Sequence, residues 1–594
     1  MARLLRFALP TLAVACLALP AAAGAAAPAG LSASIGQREV DLSWSAVSFP
    51  AGSSDQRIVV RRNGSRITAL PGDATSFADA QGRPGRSYAY TIEAIDTENG
   101  ASVRSGRSAP ARVALPAYLV GAATEDITPT GPVNLGGYGL GDGSLFPQAV
   151  IGRGGVGQAA GEHIRARALV VGDGRHAVAL ASIETQGMFA AYEAGPYGLS
   201  DMAARVAKDI PGLPADHIMI ATDHTHAGPD TIGAWGGVPQ AYLVQIRDQT
   251  VRAIEEAYAQ RQFADLRVGQ SDAPDLIYNQ SCTEALNQSK TPSYTGPDAC
   301  ATPGKDGFFR VLQATGPTGG VVATYVAYAA HATAGGGNGL NGDWPQFLSD
   351  RMAATFGGVG LATEGANGGT QPCRPACSFT SPKNPGYNVA DRKTALMLNY
   401  MAHVQDALAH TAPVRGAVAG VQGTIREAVT GPAVTALFLG GQYAGARLLR
   451  SHESPWMVGH TIRTITSALR VGGVVIAGTP GEGFPAIGDG VRSAVPSAQE
   501  VFQVGLADDQ LGYLIAPLSY VPIIAAEVAV NDNIIFNVSP TIGDHVMCSD
   551  ITLTLRLGFP GSSPATCAPY DAADAAGDPL GQVPVGGVTL PDAP

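Results

Sequence analysis

Ile218-Met-Ile-Ala-Thr-Asp-His224-Thr-His226-Ala-Gly-Pro229 opens as a buried strand, closes as a turn, and carries two imidazoles at the join. Ligands of α/β domains collect at the carboxyl ends of strands. Two other runs end in the same manner. Tyr325-Val-Ala-Tyr-Ala-Ala-His331 leads into Ala-Thr-Ala-Gly-Gly-Gly, and Val474-Val-Ile-Ala-Gly-Thr-Pro-Gly-Glu482 leads into Gly-Phe. Imidazoles at i and i+2 of an extended backbone share one face, so His224 and His226 are predicted to look into one site. Glycines beside them let the backbone approach an ion or a substrate closely. Each piece alone has a plainer reading: a hydrogen-bonded core histidine, or a Pro-Gly-Glu helix start. Together they offer two histidines and a carboxylate, a recurring catalytic zinc set that leaves a position for water.

Around these runs, apolar strands alternate with helical stretches. Strands are predicted over 169–182, 218–222, 321–330, 358–363 and 474–478. Helices are predicted over 199–210, 241–259, 344–354, 391–410 and 456–469. The pattern implies a large mixed α/β domain over residues 117–567. Upstream, residues 28–116 show two-residue alternation in Glu39-Val-Asp-Leu-Ser-Trp44, in 58–64 and in Ser87-Tyr88-Ala-Tyr90-Thr-Ile-Glu-Ala94, separated by turn residues, as in a small β-sandwich.

Composition sets outer limits. Of 594 residues, 45% are hydrophobic and 15% charged, which allows large cores and excludes wholesale disorder. The 75 Gly and 42 Pro follow no G-X-Y period, so the chain is loop-rich and not collagenous. A formal charge of −11 with no Lys/Arg run argues against a nucleic-acid partner. Neither a G-x-S-x-G elbow, an H-E-x-x-H helix nor a P-loop is present.

Residues 1–27 read as a signal peptide: Arg3 and Arg6, an apolar stretch from Phe7 to Leu19, then small residues for cleavage. Lipoprotein anchoring at Cys16 is the less favoured alternative to a secreted product. The six remaining cysteines fit an exported chain, and sequence-local pairing gives Cys282–Cys300, Cys373–Cys377 and Cys548–Cys567. No segment reads as a membrane span, because Pro517, Pro522 and Glu527 interrupt the apolar run 512–530. Residues 568–594, rich in Pro, Gly, Ala and Asp, are predicted to be disordered.

The N-terminal segment resembles a fibronectin type III domain in its inward Trp44, its "YAYTIEAID" strand and its closing "NGASVRSGRSAPARV". That likeness implies a spacer or an attachment module for a surface or matrix, with Trp44, Tyr88 and Tyr90 in the core. From 117 to 515 the chain resembles the neutral (non-lysosomal) ceramidases, zinc amidases that cleave the N-acyl bond of ceramide. The resemblance rests on "VGAATEDITPTGPVNLGGYG", "IRARALVVGDG", "ATDHTHAGPD", "AYAAHATAGG" with "LNGDWPQFLSDRM", "AGTPGEGF" and "GLADDQLGY", all in the family's order. It implies one Zn2+ held by His224, His331, Glu482 and Tyr513, with His226 as a catalytic neighbour, and an N-acyl lipid or other amide as substrate. Asp223 and Asp343 are candidates for orienting the histidines.

Three departures accompany the likeness. The family's serine segment is here Gly365-Ala-Asn367-Gly-Gly-Thr370-Gln-Pro372, with Thr370 the nearest hydroxyl and so a catalytic candidate. Its N-R-S segment is here Asn279-Gln280-Ser281, and the chain beyond Tyr513 is too short for its C-terminal sandwich. The resemblance thus implies a secreted zinc amidohydrolase. The competing readings are an extracellular binding or adhesion protein with a degenerate catalytic domain, and a zinc hydrolase of a non-sphingolipid amide or ester.

Overall fold

The computed structural model describes residues 25–131, 133–137, 163–192, 195–233, 235, 237–279, 306–334, 339–372, 389–429, 461–516 and 537–571. It divides into two compact units at Leu115/Pro116, with Arg83–Gly85 counted in the second.

The first unit is all-β. A three-stranded antiparallel sheet joins Ser32–Ile35, Val40–Ser43 and Ser76–Asp79. A five-stranded sheet places Ser87–Glu98 beside Ser54–Arg62, Ala101–Arg104 and Ala111–Ala114, with Ser65–Pro71 on the outer flank of Ser54–Arg62. Alternation in the sequence becomes alternation in burial along Val40–Ser43, whereas Ser54–Arg62 and Ser87–Glu98 also bury Val59 and Glu93 on the second face. Val40 and Leu42 of the small sheet, and Ile58, Val60, Tyr90, Ile92 and Ala94 of the large one, are buried. Tyr90 donates to Asp79 across the two sheets at 2.8 Å, and the Trp44 indole donates to the Ala74 carbonyl at 2.8 Å. Tyr88 departs from the expected core position. It is half-buried, with the Arg62 guanidinium 5.2 Å above its ring.

The second unit is mixed α/β. Its main sheet runs in the order Ile218–Thr222, Ala177–Ile183, Arg165–Gly172, Tyr118–Asp126, Gln262–Asp272, Phe308–Thr315, Val321–Tyr328, Val359–Glu364, with Ala412–Pro413 as a ninth short member on Gln262–Asp272. The centre is antiparallel and each end closes with a parallel pair. A second sheet of four strands joins Val418–Ala428, Thr461–Val471, Val474–Gly478 and Glu500–Val504. The two sheets share a core: Leu169, Val171, Leu180 and Leu266 of the first meet Leu469, Ile476 and Phe502 of the second. Ala168 and Val170, on the opposite face of the same strand, pack instead with helices Leu199–Asp209 and Gln240–Ala259. Helices Asp343–Phe356 and Val389–Ala409 cover the other half of that face, and Ile542–Arg556 packs outside the four-stranded sheet. Strands buried on both faces lose the two-residue alternation, which explains the continuous apolar runs of this unit.

Two expectations from the sequence are corrected here. Residues 169–182 are not one strand but a hairpin, Arg165–Gly172 and Ala177–Ile183, turning at Gly174 (φ +83°). Two doubly buried strands leave little polarity to mark the turn between them. The predicted helix 456–469 is a strand over Thr461–Val471, while 456–460 lie outside the described residues. Its β-branched alternation wins over helical spacing, and the buried Thr464, Thr466 and Ser467 bond Asp509, Ser549 and Asp508.

Cys548 and Cys567 are joined, as local pairing predicts. Cys282, Cys300, Cys373, Cys377, residues 1–24 of the expected signal peptide 1–27 and most of 512–530 lie outside the described residues. The chain stays helical through Asp571, four residues into the predicted tail, because Tyr570 stacks on His545 and Asp571 accepts from Thr552. Among the described residues no helix is long and apolar enough to cross a membrane.

Candidate metal centre

The three strand ends meet. His224, His331 and Glu482 are buried, at 3%, 1% and 4% exposure, and His226 is half-buried beside them. The His224 and His331 ring centroids lie 4.7 Å apart, and each is 5.0 Å from His226. One ring nitrogen from each of the three histidines lies within 4.8 Å of the others. His224 and His226 thus share a site as expected, though not through an extended backbone. His224 sits at φ +51°, a left-handed conformation that is costly for histidine and typical of functional sites. Gly137, at φ +96°, lies against the His226 ring, where a Cβ would stand 2.4 Å from Cγ.

The Glu482 carboxylate faces both buried histidines. Its Oε1 is 3.5 Å from His224 Nε2 and its Oε2 is 3.5 Å from His331 Nε2. Each imidazole bonds on its other side: His224 Nδ1 to the Gln186 carbonyl at 2.8 Å, and His331 Nδ1 to the Asn367 carbonyl at 3.3 Å. A carbonyl only accepts, so each Nδ1 carries a proton and the Nε2 of each ring is the atom that faces the centre. Burial, then the neighbouring His224, pushes the His331 imidazole down to about 4, which keeps it neutral. For Glu482, burial favours the neutral acid, but the two imidazoles and the Tyr513 hydroxyl outweigh it and hold the carboxyl below its ordinary range. A carboxylate and two ring nitrogens therefore converge at a separation too long for charge-assisted hydrogen bonds. Two ligands at ~2.1 Å from one tetrahedral ion stand roughly 3.4 Å apart, close to the spacing found here. The donor set fits a divalent cation.

Tyr513 joins from a fourth segment. Glu482–Gly483 and Tyr513–Leu514 form a short parallel pair in which Glu482 and Tyr513 are direct partners, and the Tyr513 ring stacks with His331 at 6.4 Å. Thr370 lies behind His331 rather than beside the carboxylate. Fully buried, it donates its one proton to the Ala329 and Ala366 carbonyls at 2.9 and 3.0 Å, and its own carbonyl accepts from the His331 amide. Its strand pairs with the Ile277–Asn279 strand, Asn279 opposite Thr370; Gln280 and Ser281 lie outside the described residues.

The Nδ1 atoms of His224 and His331 meet the backbone carbonyls of Gln186 and Asn367 rather than Asp223 or Asp343. Asp343, at φ +54°, accepts from the Ala334 and Trp344 amides and shapes the loop after His331. Asp223 is fully buried, and desolvation, then the neighbouring Glu184, pushes its carboxyl well up. Sequence reading missed Gln186 and Asn367, because a backbone carbonyl leaves no signature in side-chain identity. It also missed Glu364, buried and pushed well up by desolvation and by Asp223, with Asn367 donating to its carboxyl.

No protein-family model matches the sequence, and no curated protein matches it. Among solved structures, the chain is similar to a ceramidase complexed with C2, at 18% identity and a TM-score of 0.56 over 76% of this chain and 78% of that one. It is similar also to the neutral ceramidase from Pseudomonas aeruginosa, at 19% identity and a TM-score of 0.56 over 76% of each chain. The chain therefore has the neutral ceramidase fold, a mixed α/β architecture here preceded by a β-rich unit.

Proposed function

We propose that the protein is a secreted, zinc-dependent amidohydrolase of the ceramidase type, cleaving the N-acyl bond of ceramide or a related N-acyl lipid. The observation that carries the proposal is the convergence of the Glu482 carboxylate with the Nε2 atoms of His224 and His331, each at 3.5 Å. Bound there by His224, His331, Glu482 and Tyr513, Zn2+ would supply Lewis acidity toward the scissile carbonyl and lower the pKa of a coordinated water. The Gln186 and Asn367 carbonyls fix the tautomers that such binding needs. His226, half-buried at the edge of the site, holds or moves the proton that passes to the leaving amine. Thr370 supports the His331 segment from behind and has no proton to spare for chemistry. The N-terminal sandwich is read as a fibronectin type III module, and the Cys548–Cys567 disulfide supports export to an oxidising compartment.

The test is turnover by the purified full chain on a panel of N-acyl amides and esters, after chelation and after zinc return. Activity should vanish and recover, His331→Ala should lose both metal and turnover, and His226→Ala should keep zinc while slowing the reaction. Undiminished amide hydrolysis by chelated His331→Ala would remove the proposal. A zinc-loaded protein that turns over no member of the panel would favour the binding-protein reading.

A further inference from the structure

The outer face of the five-stranded sheet gathers arginines from four separate strands. Arg61 pairs with Arg66 on one side and with Thr91 on the other, Arg57 and Arg104 are both partners of Ile95, and Arg112 is the partner of Ala89. Direct partners share a face, and residues two apart on a strand share it too. Arg57, Arg61, Arg66, Arg104 and Arg112 therefore stand on one surface, above the buried Val59 and Glu93 of that same face and opposite the buried Ile58, Val60, Tyr90 and Ile92. Arg57, Arg66, Arg104 and Arg112 are exposed. Two acids answer them: Glu93 accepts from Arg61 at 3.1 Å and lies 3.6 Å from Arg104, and Asp55 accepts from Arg57 at 2.8 Å. Positive charge remains in excess.

The excess belongs to this unit alone. Residues 28–116 hold ten arginines, no lysine and eight acids, whereas residues 117–594 hold 26 basic and 41 acidic side chains. An acidic body is repelled by an anionic surface, and a basic face offsets that by about 1 kcal/mol for each arginine brought to an anionic bilayer. Guanidinium also grips phosphate through two parallel bonds, which ammonium cannot do. Leu398 of the second unit is the single large hydrophobic side chain that stands exposed among the described residues, so the face has no apolar wedge to insert.

We infer that this arginine face is a docking surface for anionic phospholipid headgroups, which holds the enzyme at the bilayer where an N-acyl lipid resides. The inference rests on the lipid-amidase reading, and its test separates the two.

Full-length protein is sedimented with vesicles of phosphatidylcholine alone or mixed with phosphatidylglycerol. Binding should require phosphatidylglycerol and fade as salt rises, since screening removes attraction beyond about 10 Å at 0.1 M. Arg66→Gln/Arg104→Gln/Arg112→Gln should weaken partitioning about 100-fold, and the Glu triple variant should bind no better than to neutral vesicles. Both should hydrolyse a short-chain N-acyl amide in detergent at the wild-type rate. Equal binding by wild type and the Glu variant overturns the inference. So does retention on heparin or DNA without vesicle binding, which would point to a soluble polyanion. Loss of vesicle binding with detergent turnover intact leaves the hydrolase reading standing, whereas salt-sensitive vesicle binding without turnover does the reverse.

Discussion

The five-stranded sheet of the first unit and the nine-stranded sheet of the second place their charges in opposite ways. In the former, the outer face meets water and carries arginines, among them the Arg57–Asp55 pair, 56% and 60% exposed. In the latter, both faces are covered, and a charge at mid-sheet needs a partner inside. Arg167, 5% exposed, bonds Glu184 at 2.9 Å and Asp350 at 2.6 Å. Burial and those two carboxylates pull the Arg167 guanidinium in opposite directions, and the carboxylates prevail and hold it above its ordinary value. One chemistry thus has two meanings: on the sandwich an ion pair adjusts a surface, and in the second unit it keeps a core from holding a bare charge.

The largest effect expected from breaking that contrast is at Arg167. Arg167→Met leaves Glu184 buried without its counter-charge and should cost about 3–5 kcal/mol. Chemical denaturation of the second unit measures it, and a loss below 1 kcal/mol would show that water reaches Glu184. Next in size is the disulfide. Cys548 and Cys567 lie 19 residues apart, so replacing both by Ser should cost about 3 kcal/mol through the freed unfolded chain. The melting temperature of the second unit should fall while that of the sandwich stays. Thr370→Ala should be smaller, about 1–2 kcal/mol from two buried carbonyls losing their donor, with turnover reduced less than about 10-fold. A loss as deep as that of His331→Ala would instead assign Thr370 a direct part in the reaction. Smallest of all, Arg57→Met should change the stability of the sandwich by less than about 0.5 kcal/mol, a value that thermal melts of wild type and variant can bound.

The same contrast governs how far the sequence could be read. Where one face of a sheet is wet, as in Val40–Ser43 or Ser87–Glu98, period-two alternation survives and the strands are legible. Where both faces are dry, alternation vanishes. The 165–183 hairpin then reads as a single strand, and Thr461–Val471 passes for helix because its buried hydroxyls look like a polar stripe until Asp508 and Asp509 are seen to receive them.

The candidate ligand side chains were legible for a related reason. His224, His331 and Glu482 each follow an apolar strand and precede glycines, a local pattern that any sequence window contains. Their convergence was not, since residues 107 and 151 positions apart are joined only by two sheets packing on a shared core. Nor was the tautomer of either buried histidine, which depends on the carbonyls of Gln186 and Asn367, groups every residue has. The arginine face follows the same rule. No run of basic residues marks it in the chain, because strand register, a property of pairing between distant segments, is what brings Arg57, Arg61, Arg66, Arg104 and Arg112 to one side. By itself, the sequence determined which strands alternate and which strand ends carry imidazole or carboxylate side chains. Tertiary structure alone decided which of them meet, because through-space proximity comes from long-range strand pairing and sheet packing that no local window encodes.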